Sequence, residues 1–138
     1  MWTVALPGRD FAATMTRAMS KYFAPSEFAR CVPACRIEDM DTDFLALLDK
    51  VREKAGIPMV LNCAYRSREW DLAKGRTGNS AHTRGKAADV RCTSSANRFK
   101  IVAAALECGV RRIGIGKSFV HLDNDGSLAQ GVMWDYYG

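Results

Sequence analysis

The sequence predicts an α+β fold: a small, largely antiparallel sheet with helices packed on one side, in a single domain over residues 1–138. Three observations predict it. Helical spacing of apolar residues dominates the chain before Pro58, short strand-like runs dominate after it, and one further helical stretch interrupts those runs. Helices first and strands later, without regular alternation, point away from a doubly wound parallel sheet. The length of 138 residues suits one sizeable core and not two.

Residues 10–22 (DFAATMTRAMSKY) place apolar side chains at helical spacing, with Asp10 suited to cap the start. SEFAR, opened by Ser26, reads as a short helical turn. The clearest helix starts at Asp41 or Thr42, lines one face with Phe44, Leu45, Leu48 and Val51, and stops at Gly56 and Pro58. MVLNCAY then reads as a strand, followed by a long polar loop, RSREWDLAKGRTGNS. Loops of that length in a compact domain are often functional. KAADVRC reads as a strand, and Thr93 or Ser94 caps a helix through ANRFKIVAAALEC that Gly109 ends. RRIGIG and SFVHLDN are two further strands, a turn falls at Asp125–Gly126, and GVMWDYYG packs as a last extended segment.

Composition narrows the function. Apolar residues make up 48% of the chain and no apolar run is long enough to cross a bilayer, so no membrane insertion is expected. The opening MWTVALPGRD lacks a basic start followed by an apolar core, which predicts synthesis in the cytoplasm without a secretory leader. The net charge of +5 favours anionic partners, among them nucleic acid and cell-wall polymer. The basic residues are scattered, however, and no basic arm or zinc-finger spacing accompanies them, so no nucleic-acid partner is expected. Five cysteines without a leader argue against a disulfide framework. Cys31 and Cys35 lack a second pair at matching spacing, and all five read as free thiols.

The chemistry concentrates in SAHTRGKAADV, residues 80–90. His82 precedes Asp89 across a loop-to-strand transition, and the second histidine, His121, lies in the strand FVHLD. A hydrolytic zinc takes three protein ligands, commonly imidazole or carboxylate, and keeps one place open for water. His82, Asp89 and His121 form such a set, and Gly85 lets the chain turn between the first two. Alternation along the strand puts Asp123 on the face of His121. The plainer reading is that both histidines are surface or satisfied core residues and that Asp89 caps or pairs with an arginine.

Ser80, His82, Gly85, Ala87 and Asp89 match S-x-H-x-x-G-x-A-x-D throughout. With SEF at 26–28, YRS at 65–67, FVHLD and Trp134, the chain resembles the zinc D-alanyl-D-alanine carboxypeptidase family of peptidoglycan peptidases, in its compact phage and bacterial branch. The resemblance runs from about residue 23 to the end. It implies that His82, Asp89 and His121 bind Zn2+, that Arg66 faces the scissile carbonyl or a substrate carboxylate, and that Ser80 and Trp134 contact the peptide. It also implies metal-assisted hydrolysis of peptidoglycan stem peptides, acting at the wall after release or as a virion component; separately, a monomer is expected.

One position departs from the pattern. Many relatives carry an acid or histidine two or three residues before the last ligand as general base, whereas this chain has Phe119 and Ser118. Asp123 is the catalytic candidate in their place, and its alternative role is to orient an imidazole ligand. A metal-containing wall-binding module with impaired catalysis is therefore the competing expectation.

Overall fold

The computed structural model describes residues 19–137. The helix expected over 10–22 lies largely outside the described residues, and residues 19–22 are turns and bends, not helix. They are held by Asp49, whose carboxylate accepts from Ser20 Oγ at 2.9 Å and from the backbone N–H groups of Lys21 and Tyr22. The segment from which the lack of a leader was read lies outside the described residues. Among the described residues no helix is long and apolar enough to cross a membrane.

The architecture is α+β, as the residue pattern predicts. Helix α1 spans Pro25–Ala29, with proline in its first turn and the Glu27 carboxylate accepting from Ala24 N–H at 2.8 Å. Helix α2 spans Thr42–Ala55; Asp41 caps it by accepting from Phe44 N–H, and Gly56 ends it in the left-handed conformation. Helix α3 spans Arg68–Ala73 and α4 spans Ser95–Glu107. Ser94, one of the two expected caps, accepts from Asn97 N–H at the start of α4.

Helix α3 corrects the sequence analysis, which read 66–80 as loop. Ser67 accepts from Trp70 N–H and starts the helix. Its single turn and a half is too short for an apolar stripe, so periodicity carried no signal.

Among the described residues five strands form one sheet: β1 Leu61–Cys63, β2 Ala87–Arg91, β3 Arg112–Ile115, β4 Phe119–Asp123 and β5 Val132–Asp135, in the order β1-β2-β4-β3-β5. Every neighbouring pair is antiparallel except β3–β5, which is parallel. Alternation gives the sheet two unlike faces. Val90, Val120, Leu122 and Ile113 point into one apolar cluster with Phe44, Leu45, Leu48 and Val51 of α2 and Ile101 and Ala104 of α4. Burying each large aliphatic side chain there contributes about 1.5–3 kcal/mol.

On the other face the register aligns one row of residues across all five strands. Cys63 stands opposite Asp89, Asp89 opposite His121, His121 opposite Gly114, and Gly114 opposite Trp134. A second row holds Ala87, Asp123, Arg112 and Val132. The core face makes the fold stable, and the opposite face carries the polar constellation.

Candidate metal centre

His82 reaches the sheet from a 3-10 turn over Ala81–Arg84 that Gly85 closes at a φ of 70°. Glycine is needed there twice over. The conformation is left-handed, and a Cβ would run into the backbone carbonyl of Asp39. The approach is close because Gly85 accepts from Asp41 N–H at 2.9 Å, which docks the turn on the start of α2. Arg66 N–H in turn donates to the His82 carbonyl at 3.2 Å.

The three expected ligands converge. His82 Nε2 lies 3.4 Å from Asp89 Oδ1, and His121 Nδ1 lies 3.0 Å from the same oxygen. The two imidazoles meet edge to face with centroids 5.1 Å apart. Both are buried, at 2% and 6% exposure, while Asp89 is half-buried, which leaves the centre open on the carboxylate side.

The outer nitrogen of each ring decides what the inner one offers. His82 Nδ1 lies 2.5 Å from the Ala64 carbonyl, which only accepts, so Nδ1 carries the hydrogen. His121 Nε2 lies 2.6 Å from Asp123 Oδ2 and donates to it. In neutral rings this leaves two nitrogen lone pairs facing an Asp89 oxygen, three acceptors with no donor among them. Such a set is favourable only around a cation or added protons, and it suits a divalent metal.

The titration behaviour follows from that arrangement. With added protons in place of a cation, the inner nitrogens donate: burial opposes a charge on Asp89, but hydrogen bonds from His121 and His82 then outweigh it and hold the carboxyl well below the usual carboxylate range. Burial likewise opposes a charged His121, yet its hydrogen bonds to Asp123 and Asp89 raise its pKa above the ordinary value.

Asp123 is fully buried. Its Oδ2 takes His121, and its Oδ1 accepts from Arg112 Nε at 2.8 Å and from Asp125 N–H at 3.1 Å. Both oxygens are engaged by the protein. Arg112 continues outward, with its guanidinium 5.0 Å from the ring centroid of Trp134. That ring packs 5.4 Å from His121, over Gly114, where a Cβ would come within 2.8 Å of Trp134 Nε1. Trp134 thus forms one wall of the centre.

Arg66 and Ser80 form the other side. Arg66 is 9% exposed, and its Nε lies 2.8 Å from Asp71 Oδ1, an ion pair not aligned as a hydrogen bond. Arg66 Nη2 donates to Ser80 Oγ at 3.2 Å, and Ser80 donates to Asp71 Oδ2 at 3.0 Å. The remaining Nη1 points at Cys63 Sγ, 3.6 Å away.

Sequence reasoning passed over Asp71, Arg112 and Cys63. Asp71 lay in the segment read as loop, and Arg112 pairs with Asp123 only through the β3–β4 register. The five cysteines are free thiols, in line with the expectation, but Cys63 does more than fill space. The donor atoms of Cys63, His82 and Asp89 all lie within 4.8 Å of one another.

A family model described as Peptidase M15 matches residues 21–123. The match contains the three converging side chains, Arg66 and Ser80, and it ends at Asp123, short of Trp134. A search of the curated proteins finds no match.

Proposed function

Because the chain belongs to the Peptidase M15 family, the zinc D-alanyl-D-alanine carboxypeptidase type, we propose that it is a zinc-dependent peptidase cleaving amide bonds in peptidoglycan stem peptides. The observation that carries this reading is the three-acceptor set of His82 Nε2, His121 Nδ1 and Asp89 Oδ1, each imidazole held by a hydrogen bond at its outer nitrogen. Zinc in such a set supplies an activated water and a Lewis acid for the scissile carbonyl.

The protein's own groups then orient and bind. His82 and His121 are kept in the tautomers that face inward by Ala64 and Asp123. We assign Asp123 to positioning, because both its oxygens are already taken. Arg66, fixed by Asp71 and Ser80, presents a permanent positive charge toward the centre, suited to a peptide carbonyl or a terminal carboxylate. Ser80 acts mainly by holding Arg66, and Trp134 offers a flat apolar wall for the peptide. A terminal D-Ala–D-Ala bond and an internal L-Ala–D-Glu bond both fit these elements. The net charge of +5 suits an anionic wall, reached after lysis or as part of a virion or in wall remodelling.

Digestion of purified peptidoglycan with native and metal-stripped protein, with mass analysis of the fragments, tests the reading. New peptide ends that vanish on metal removal and return with zinc are expected, with one zinc per chain. Undiminished cleavage by the stripped protein would sink it. A second reading is a metal-containing wall-binding module without turnover. The engagement of both Asp123 oxygens, with Phe119 and Ser118 in place of an acid, favours it. Retention on peptidoglycan without released fragments would decide for that reading.

A further inference from the structure

Cys63 reaches the metal face through an irregularity in the sheet. Leu61 pairs with Val90, yet Cys63, two residues on, pairs with Asp89, so the register shifts between them. In regular alternation Leu61 and Cys63 would share a face. The bulge rotates Cys63 away from the core and across from a metal ligand. The apolar cluster reflects this: Leu61 and Ala64 belong to it, as do Cys31, Cys35 and Cys92, and Cys108 packs against it, but Cys63 does not. Its neighbours are polar instead. His82 Nδ1 is 3.8 Å from the sulfur, and Arg66 Nη1 is 3.6 Å away.

We propose that Cys63 is a fourth protein ligand of the cation held by His82, Asp89 and His121, so that at rest four side chains close the centre. The inference rests on the metal reading above and adds to it a ligand and a brake. Ligand atoms around zinc stand about 3.5 Å apart, given bonds of about 2.0–2.3 Å. The donor atoms of Cys63, His82 and Asp89 already lie within 4.8 Å of one another and need only a small rearrangement to reach that spacing, while His121 joins them through the Asp89 oxygen 3.0 Å from its Nδ1. On binding, the S–H bond breaks, the sulfur lone pair bonds the metal, and the proton leaves to solvent, with no change in oxidation state. Burial and the Asp89 carboxylate oppose a negative sulfur, the nearby Arg66 guanidinium favours it less strongly, and the cation itself must supply the rest. A catalytic centre keeps one place for water, and the thiolate competes for that place. The soft donor also biases the centre toward zinc, cobalt and cadmium over magnesium and manganese.

The test is the absorption spectrum of the protein loaded with Co2+, in wild type, Cys63→Ser and Cys108→Ser, with bound cobalt counted in each. A sulfur-to-cobalt charge-transfer band in the near ultraviolet is expected in wild type and Cys108→Ser and absent from Cys63→Ser, at one cobalt per chain throughout. Serine nearly matches cysteine in size, and circular dichroism of each variant checks the fold. Cobalt bound by wild type without the band overturns the ligand while leaving the metal centre intact. Wild type that binds no cobalt overturns both. Where the band is present, peptidoglycan cleavage by Cys63→Ser at or below the wild-type rate overturns the brake.

Discussion

Asp123 Oδ2 lies 2.6 Å from His121 Nε2, inside the protein and out of reach of solvent. The contact sets which nitrogen of His121 faces Asp89, and the Arg112 guanidinium anchors the same carboxylate from the opposite side. A residue held in this way is suited to positioning the His121 ring, the role proposed above. Asp123→Asn should weaken zinc binding about 10–100-fold, as loss of such a partner does at metal sites. Titration against a chelator measures it. Unchanged affinity together with abolished cleavage would instead assign Asp123 to proton transfer.

The raised pKa of His121 makes metal binding sensitive to acid. Zinc needs the neutral imidazole, and protons compete for it below that pKa. In Cys63→Ser, which has no thiol proton to release, apparent affinity should therefore be level at higher pH and fall by about tenfold per pH unit, for one displaced proton, starting above the ordinary histidine value of 6.5. In Asp123→Asn the fall should begin at lower pH, since one carboxylate that raises the pKa is gone. The metal-free fold has the opposite dependence. Protonated His121 stabilises it fully below its unfolded value, and that contribution is lost as pH rises through the raised folded value. Metal-free thermal melts against pH check this; a midpoint rising through that window would contradict it.

Asp71 has no exposed surface and neutralises Arg66, whose side chain is 10% exposed. Asp71→Ala leaves a nearly buried guanidinium without its counter-charge. The expected cost is about 3–5 kcal/mol, read from urea unfolding. A loss below about 1 kcal/mol would mean that water already screens the pair.

Gly85→Ala combines a left-handed backbone with a Cβ directed into the Asp39 carbonyl. The conformational part alone is worth about 1–2 kcal/mol. Because the same turn carries His82, zinc affinity should drop together with stability. A variant of wild-type stability and affinity would show that the turn relaxes freely away from α2.

The order of elements was legible in the residues because it rests on local chemistry. Asp41 caps α2, Ser94 caps α4, glycines end both helical stretches, and short strand-like runs mark β2 and β4. His82 and Asp89 stood out through their motif and His121 through the FVHLD strand, and the structure brings the three side chains together; the shared face of His121 and Asp123 follows from a two-residue period. Short α3 was not legible, since a turn and a half carries no stripe. Nor were the partnerships that give the centre its character: Asp123 with Arg112, Asp71 with Arg66 and Ser80, Trp134 against His121, and Cys63 opposite Asp89. Each depends on strand order, on register, or on a bulge that turns one side chain to the other face. Residue type and spacing determine which side chains are available and how each segment coils. Only the packing of distant segments decides which of them meet, because that choice follows from the burial of the whole apolar face and from no single stretch of chain.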